Sequence, residues 1–299
     1  MAEEITPAMP PKKILLATDL SSRGDRALDR AAQLAIAWDA ELLIVHALEP
    51  VGQAFTDYSK LPSWRRPPNR VTLVERQIRE DVGDTRLRLR VQVAEGPAVE
   101  VILDAIRRET CDLVVLGLGR ERPFGGVGKT IDELFRRSPV SVLVVKRRPH
   151  GPYGHVLVGT DFTDEARYGL EVATRLFPEA TFALMHAYEM PYKALWRDSQ
   201  LSRDFGEMEK AAVRTFLDEA ELSEQVRQRT ITLIEHGPPE VMLSIYATEH
   251  GANLTVIGAY ERSTLFHVVI AGKGPRIVEV VPGDVLVVRA ERSATQPQQ

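Results

Sequence analysis

The chain has 299 residues, of which 44% are hydrophobic and 27% charged, a composition typical of a globular protein with two domains of ordinary size. Its 38 basic and 42 acidic residues give a formal net charge of −4, so no overall positive field points to nucleic acid. The single cysteine, Cys111, excludes a disulfide framework within the chain. The N-terminus MAEEITPAMPPKK has no apolar signal-peptide core, and no apolar run approaches the length of a membrane span. We therefore expect a cytoplasmic protein that binds neither nucleic acid nor membrane.

In chain order, a polar, proline-bearing arm at residues 1–11 is followed by apolar runs that alternate with helical patterns. A hydroxyl at Ser21 or Ser22 can cap the first helix. The alternating run that contains Arg86, Arg88 and Arg90 has two readings, a solvated strand face or an anion-binding stripe. The predicted strands of this half are Ile14–Thr18, Leu42–Ala47, Thr85–Val93, Leu113–Leu116 and Val140–Val145, with helices after Ser22, around Val71–Ile78, after Pro97 and around Ile131–Phe135.

The second half of the chain repeats the first. The stretch Cys111–Lys146 (strand, glycine-rich loop, helix, strand) has a copy at Asn253–Arg289, in which a charged loop is expected after Gly258. VLVGTDFT matches ILLATDLS, and FALMHAYE matches LLIVHALE. The sequence thus predicts two α/β domains with parallel, doubly wound (Rossmann-like) sheets at residues 12–147 and 155–290, a linker at 148–154 and a disordered tail at 291–299.

The glycine-rich loop is the main candidate for ligand binding, because ligands of open α/β sheets bind beyond the carboxyl ends of the strands. A glycine loop that enters a helix offers free N–H groups to a phosphate. Gly128-Lys129-Thr130 resembles the end of a P-loop, in which the lysine reaches phosphates and the hydroxyl meets Mg²⁺, but Pro123 stands where that motif needs a glycine. The loop either binds phosphate with Lys129 and Thr130 or packs on the neighbouring domain.

Other polar residues recur at matching positions of the two halves. Asp19 and Asp161 end the first strand of each half and are either ligands or turn aspartates. His46 and His186 are either partly buried, hydrogen-bonded histidines, which we expect, or ligands. No spacing of His, Cys or carboxylates indicates a metal site. Neither a nucleophile motif nor a pair of acids indicates an enzyme.

These features together resemble the universal stress protein family in its tandem form, over roughly Lys12 to Arg289. Each half has a first strand ending in aspartate (ATDLS, GTDFT), a second ending in His-Ala (VHA, MHA), a Gly-Pro turn (EGPAVEV, HGPPEVM) and a last strand VLVV. The resemblance implies a five-stranded parallel sheet in each domain and domains that pair through their last strands. We expect Val140–Val145 and Asp284–Val288 to meet antiparallel, within the chain or between two chains of a homodimer.

The family also implies an ATP-binding subclass with the loop pattern G-x-x-G-x9-G-[ST]. In the first half the resemblance assigns Asp19, Ala47, Gly117, Arg120, Gly128, Lys129 and Thr130 to the nucleotide, with Arg120 at the second glycine, Lys129 at the Ser/Thr position and a loop two residues shorter than the pattern. The weaker equivalents in the second half are Asp161, Ala187, Gly258, Ala271, Gly272 and Lys273, with Glu261 at the second glycine.

Three functions follow from this resemblance. The first is a stress-response regulatory module that binds ATP, with Mg²⁺, in the first domain and presents a surface to a protein partner. The second is an interaction scaffold without nucleotide, which the replaced glycines favour. The third is a weak nucleotide hydrolase, which has the least support because no base for water activation is visible in the sequence.

Overall fold

The computed structural model describes residues 10–22, 24–49, 62, 69–83, 86–119, 126–189, 199–262, 265–268 and 274–289, and only the backbone of 199–206, 260–262 and 265–268. The first half contains β1 (Lys13–Ala17), α1 (Gly24–Trp38), β2 (Glu41–Leu48), α2 (Arg70–Val82), β3 (Arg88–Glu95), α3 (Ala98–Glu109), β4 (Leu113–Gly117), α4 (Lys129–Arg137) and β5 (Ser141–Val145). The second half contains β6 (His155–Thr160), α5 (Asp164–Leu176), β7 (Thr181–Tyr188), α6 (Ser199–Glu219), α7 (Glu224–Gln228), β8 (Thr230–His236), α8 (Pro239–His250), β9 (Leu254–Arg262), β10 (Leu265–Val268), α9 (Gly274–Val280) and β11 (Asp284–Arg289). Within these ranges, no helix is both long and apolar enough to cross a membrane.

Each half builds the same sheet. The strand orders are β3-β2-β1-β4-β5 and β8-β7-β6-β9-β11, and all neighbours within these two sets are parallel. The predicted α/β fold with a parallel sheet in each half is confirmed. The order reverses between β1 and β4, and again between β6 and β9, so each half has one switch point where a ligand cleft can open.

The last strands of the two halves join them into one continuous sheet. β5 and β11 pair antiparallel, with Leu143 opposite Leu286 and Val144 opposite Val285. This pairing confirms the expectation for the two valine-rich strands and takes place within one chain. It covers two apolar edges that would otherwise expose unpaired backbone groups to another molecule.

The strands are apolar because helices cover both faces of the sheet. Ile14, Leu15 and Leu16 are successive residues of β1, and all three are fully buried. Leu15 belongs to the core on one face, whereas Ile14 and Leu16 belong to the core on the other. Such burial of alternate side chains on two faces produces the continuous apolar runs seen in the sequence.

The third strand begins later than the sequence indicated. β3 starts at Arg88, so Arg86 precedes it and does not share the strand face. Arg90 contacts the Glu109 carboxylate at 2.5 Å, and Arg88 lies 3.2 Å from the carboxylate of Asp39. These ion pairs within the chain support the reading of a solvated strand face.

The largest departure from the expected repeat lies after Gly258. The sequence analysis expects a charged loop there, but β9 continues to Arg262 and β10 pairs with it antiparallel. An antiparallel pair satisfies the backbone N–H and C=O groups of this segment within the chain, which a loop would leave to water. The second half therefore has a hairpin after Gly258.

Candidate functional site

A cavity of about 910 Å³ opens at the carboxyl edge of the first sheet. It lies over the ends of β1, β2 and β4, beside the N-termini of α3 and α4, at the switch point of the strand order. Its volume is within the range usual for small-molecule sites. The predicted residues that line it are Asp19, Ala47, Gly117, Gly128, Lys129 and Thr130. Folding thus brings residues from four separate stretches to one cleft, whereas Arg120 lies outside the described residues.

Asp19 shapes the turn between β1 and α1. Its Oδ1 accepts hydrogen bonds from the backbone N–H of Ser21 at 3.0 Å and from the Ser21 hydroxyl at 2.6 Å. The Ser21 oxygen in turn accepts from the N–H of Gly24, the first residue of α1, and Leu20 adopts a positive φ of 57° inside the turn. Asp19 is therefore a turn aspartate, as one reading proposed, and it also borders the cleft.

His46 ties the second strand to the end of the first. Its Nδ1 lies 2.9 Å from the carbonyl oxygen of Thr18. A carbonyl oxygen only accepts, so Nδ1 carries the proton in this contact. The histidine is partly buried and hydrogen-bonded, as the sequence analysis expected, and it fixes the strand end from which Ala47 faces the cleft.

The glycine loop reaches α4 through a backbone conformation that favours glycine. Gly128 stands at the N-cap with φ of 91° and ψ of 148°, and its carbonyl accepts from the N–H of Asp132 at 3.1 Å. Because glycine has no side chain, it leaves the other N–H groups of the first turn uncapped beside the cleft. The Lys129 side chain is 84% exposed and lies 3.6 Å from Glu133, so it can turn to a ligand at little cost.

One basic residue of the cleft was missed by the sequence analysis. Arg70 lines the cavity, and its guanidinium donates a 3.3 Å hydrogen bond to the carbonyl oxygen of Glu49. It is the first residue of α2, whose N-cap Asn69 accepts from the N–H of Val71 at 2.9 Å. The Asn-Arg pair ahead of an apolar helical pattern is the signal that could have placed Arg70 at this helix start.

The second half has the same aspartate turn, at Asp161, but aromatic and histidine rings pack beside it. Thr163 donates from its hydroxyl to Oδ1 of Asp161 at 2.7 Å, and Nδ1 of His186 lies 2.8 Å from the carbonyl of Thr160. Phe162 lies with its ring centroid 4.4 Å from that of His186 and 5.6 Å from that of Phe216.

Two further rings continue this cluster. Tyr188 lies 5.3 Å from His186 and 5.0 Å from His236, measured between ring centroids. Tyr188 also donates a hydrogen bond to the carboxylate of Glu209 on α6. The matching residues of the first half are Leu20, Leu48 and Glu95, none of which is aromatic. The carboxyl edges of the two sheets therefore differ in chemistry, although Ala187 follows its histidine as Ala47 does.

Gly258 has a packing reason to be glycine. A Cβ atom at this position would lie 2.5 Å from the carbonyl oxygen of Glu165, at the start of α5. The predicted glycine is thus placed within β9, where helix and strand backbones approach closely, and its part in nucleotide binding stays a prediction. Ala271, Gly272 and Lys273 lie outside the described residues.

Other reactive groups do not gather into a second centre in the part of the chain that the structure describes. No group of three or more His, Cys, Asp or Glu residues there could hold a metal ion. Cys111 is buried, and burial raises the pKa of its thiol to about 12, so the thiolate is scarce at neutral pH. A divalent cation at the cleft would depend on a phosphate ligand for most of its coordination, as Mg²⁺ commonly does.

Comparisons with known proteins agree with this architecture. Residues 10–146 and residues 152–289 each match the model of the universal stress protein family. A universal stress protein from Archaeoglobus fulgidus is similar in structure, with a TM-score of 0.63, 18% identity and coverage of 93% of this chain and 98% of that one. A functionally unknown protein from Pseudomonas aeruginosa has a TM-score of 0.60, 20% identity and coverage of 94% of this chain and 93% of that one. No curated protein sequence matches the chain. These structural similarities show the fold alone. The two matches to the family model together cover almost the whole sequence, so the chain belongs to the universal stress protein family and carries two family units in tandem.

Proposed function

We propose that the first-repeat cleft binds an adenine nucleotide and that the protein is a stress-response regulatory module rather than an enzyme. The observation that carries this proposal is the convergence of Asp19, Ala47, Gly117 and the Gly128–Thr130 segment on one cavity of about 910 Å³. These residues were selected from sequence alone and come from four separate stretches of the chain, so their presence in one cavity supports a common ligand. The position over the switch point of the sheet also suits a nucleotide.

The cleft residues divide into an adenosine end and a phosphate end. The Asp19 carboxylate can accept hydrogen bonds from ribose hydroxyls, and the backbone at Ala47 can meet the adenine edge. At the other end the first N–H groups of α4, the Lys129 ammonium and the Thr130 hydroxyl are suited to phosphate oxygens. Mg²⁺ bound with ATP would neutralise phosphate charge, and the Thr130 hydroxyl is an oxygen donor at the phosphate end.

The first test is whether nucleotide is present in the purified protein. The chain is purified without added nucleotide and heat-denatured, and the supernatant is analysed by mass spectrometry beside an ATP titration in a calorimeter. Adenine nucleotide near one per chain supports the proposal. An empty supernatant together with a flat titration contradicts it.

A variant assigns the binding to this cleft. Lys129→Ala is expected to weaken ATP binding by about three- to tenfold, because it removes one exposed charge-assisted contact to phosphate. Lys210→Ala is the matched control, since Lys210 is also an exposed helical lysine paired with a glutamate, Glu207, but lies in the second repeat. Equal affinities of the two variants and the native chain would remove Lys129 from the site.

A scaffold function without nucleotide is the second candidate, and it concerns the second repeat. There Phe162, His186, Phe216 and Tyr188 pack on one another beside the Asp161 turn, and a hairpin follows Gly258. These features favour a second repeat that stabilises the chain and offers a surface to a protein partner, and that binds no nucleotide itself. Binding of two nucleotides per chain would contradict this division of roles.

A further inference from the structure

The second repeat makes a contact with the glycine loop of the first. The backbone N–H of Gly126 donates a 3.1 Å hydrogen bond to Oε1 of Glu279, which lies 153 residues later in the chain, on α9. Gly126 has φ of 99°, and the two residues after it, Val127 and Gly128, line the cleft. A carboxylate of one repeat is therefore hydrogen-bonded to the glycine loop of the other, two residues before the N-cap of α4 and the proposed phosphate contacts.

The Glu279 carboxylate is positioned by several groups. Arg276, one turn earlier on α9, donates to its Oε2 at 2.8 Å, and the Glu279 side chain is only 29% exposed. Hydrogen bonds from Arg276 and from Gly126 lower the pKa of Glu279, so the side chain is an anion at neutral pH.

The first repeat in turn holds α9 near the loop. Lys146, directly after β5, donates from its Nζ to the carbonyl oxygens of Val278, at 2.6 Å, and Val281 at the end of α9. On the neighbouring side, β10 of the second repeat lies against α4. The glycine loop and the helix that follows it are thus bordered by two elements of the second repeat.

The chemistry of this contact resembles that of a phosphate site. Backbone N–H groups of a glycine loop ahead of a helix attract anions, and a glutamate carboxylate is an anion. A phosphate group that took the Gly126 N–H would have to displace Glu279 and would meet its negative charge. The carboxylate therefore occupies one donor of the loop.

We propose that Glu279 is an internal, second-repeat ligand of the first-repeat glycine loop, and that nucleotide phosphate and Glu279 exclude each other at Gly126. This inference rests on the proposed function of the cleft. It makes the second repeat a regulator of the first, because occupation of the cleft releases α9 from the loop and a docked α9 lowers the affinity of the cleft. The two effects are equal in size, since coupling between two binding events is reciprocal.

Two variants of the full chain test the contact. Glu279→Gln keeps the size of the side chain and an acceptor oxygen but removes the charge, and Glu279→Ala removes both. We expect ATP to bind about threefold tighter to the first and about tenfold tighter to the second, measured by calorimetry in the same buffer. Glu100→Gln is the matched control, because Glu100 is a glutamate of the first repeat paired with Arg137 and makes no contact with Gly126. Its affinity is expected to stay within about twofold of the native chain.

Hydrogen exchange provides a readout that does not depend on affinity. In the native chain, ATP is expected to speed amide exchange in α9 and to slow it in the peptide that contains Gly126. In Glu279→Ala without nucleotide, the Gly126 peptide is expected to exchange faster than in the native chain, because its N–H has lost an acceptor.

The outcomes separate the two proposals. ATP binding that is equal in the native chain and both Glu279 variants, with no change of exchange in α9, overturns the inference and leaves the nucleotide site standing. Failure of all three chains to bind ATP overturns the nucleotide site and the inference with it. ATP binding that becomes tighter from the native chain to Glu279→Gln and again to Glu279→Ala supports both proposals.

Discussion

The Tyr153 hydroxyl donates a 2.6 Å hydrogen bond to Oδ2 of Asp284 and so joins the segment between the two repeats to the last strand. Both residues are almost fully buried, at 3% and 1% exposure. Oδ1 of Asp284 accepts from the backbone N–H groups of Lys146, at 2.8 Å, and Arg147, at 3.2 Å. The Arg30 guanidinium lies 4.0 Å over the Tyr153 ring, and its Nε is 3.6 Å from Oδ2. A buried carboxylate is tolerated here because donors and a cation surround it.

Asp284→Asn is expected to lower the free energy of unfolding by about 2–4 kcal/mol, because it leaves the buried Arg30 without its counter-charge. Chemical denaturation followed by circular dichroism measures this change. Asp218→Asn is the matched control, since Asp218 pairs with Arg227 at the surface, and we expect it to change stability by less than about 1 kcal/mol. Equal effects of the two variants would show that the buried cluster contributes little.

Tyr153→Phe separates the hydrogen bond from the packing of the ring. The phenyl ring can still lie under Arg30, but Oδ2 of Asp284 loses its hydroxyl donor. We expect a loss of about 1–2 kcal/mol, smaller than that of Asp284→Asn, in the same denaturation experiment. A larger loss than for Asp284→Asn would place the main contribution in the hydroxyl hydrogen bond rather than in the charge of the carboxylate.

Lys146 is expected to make stability depend on pH. Burial lowers the pKa of its ammonium to about 8, whereas in the unfolded chain it is near 10.4. Between these two pKa values the unfolded chain binds more protons at Lys146 than the folded chain does, so the stability of the fold rises with pH from about 8 to about 10. This contribution is lost as the pH falls through about 8. Lys146→Met should lack this rise, so the difference in stability between the native chain and the variant, measured by denaturation, should change across that pH range. A constant difference between the native chain and the variant would contradict the shifted pKa.

Cys111 is expected to be inert in the folded protein. Its thiol is buried, and burial raises its pKa to about 12, so neither access nor thiolate is available near neutral pH. A thiol reagent should modify the native chain at a small fraction of the rate seen for the same chain in denaturant. Rapid modification of the native chain would show that the start of β4 opens readily.

Gly258→Ala is expected to destabilise the second repeat by about 1–3 kcal/mol or more, because the added methyl group would overlap the backbone of Glu165. Gly154→Ala is the matched control, as a Cβ there would meet no atom within 4 Å. Thermal unfolding of the two variants beside the native chain measures the difference. Similar melting temperatures would mean that α5 moves away from β9 without cost.

How far the site could be predicted differs between the repeats. In the first, the strand end at Asp19 and the helix start at Gly128 come from local patterns, and parallel strands carry such positions to the same edge. In the second, the pattern of Gly258 suggested the same loop, but the chain forms a hairpin because the segment can pair with itself. Arg70 was missed because a single arginine at a helix start shows no sign in sequence that it faces a cleft.

The sequence by itself determined the α/β class, the duplication and the parallel strands, because each depends on periodicity or on the order of short segments along the chain. The antiparallel meeting of β5 with β11 was implied by the family resemblance, and the tertiary structure placed it within one chain. Only the tertiary structure decided the neighbours of Asp284 and the contact between Glu279 and Gly126. These partners lie more than a hundred residues apart, and a carboxylate has the same local sequence signature whether it faces water, a buried arginine or the N–H of a glycine loop. Its role follows from which groups the packing of the two repeats brings within hydrogen-bonding distance.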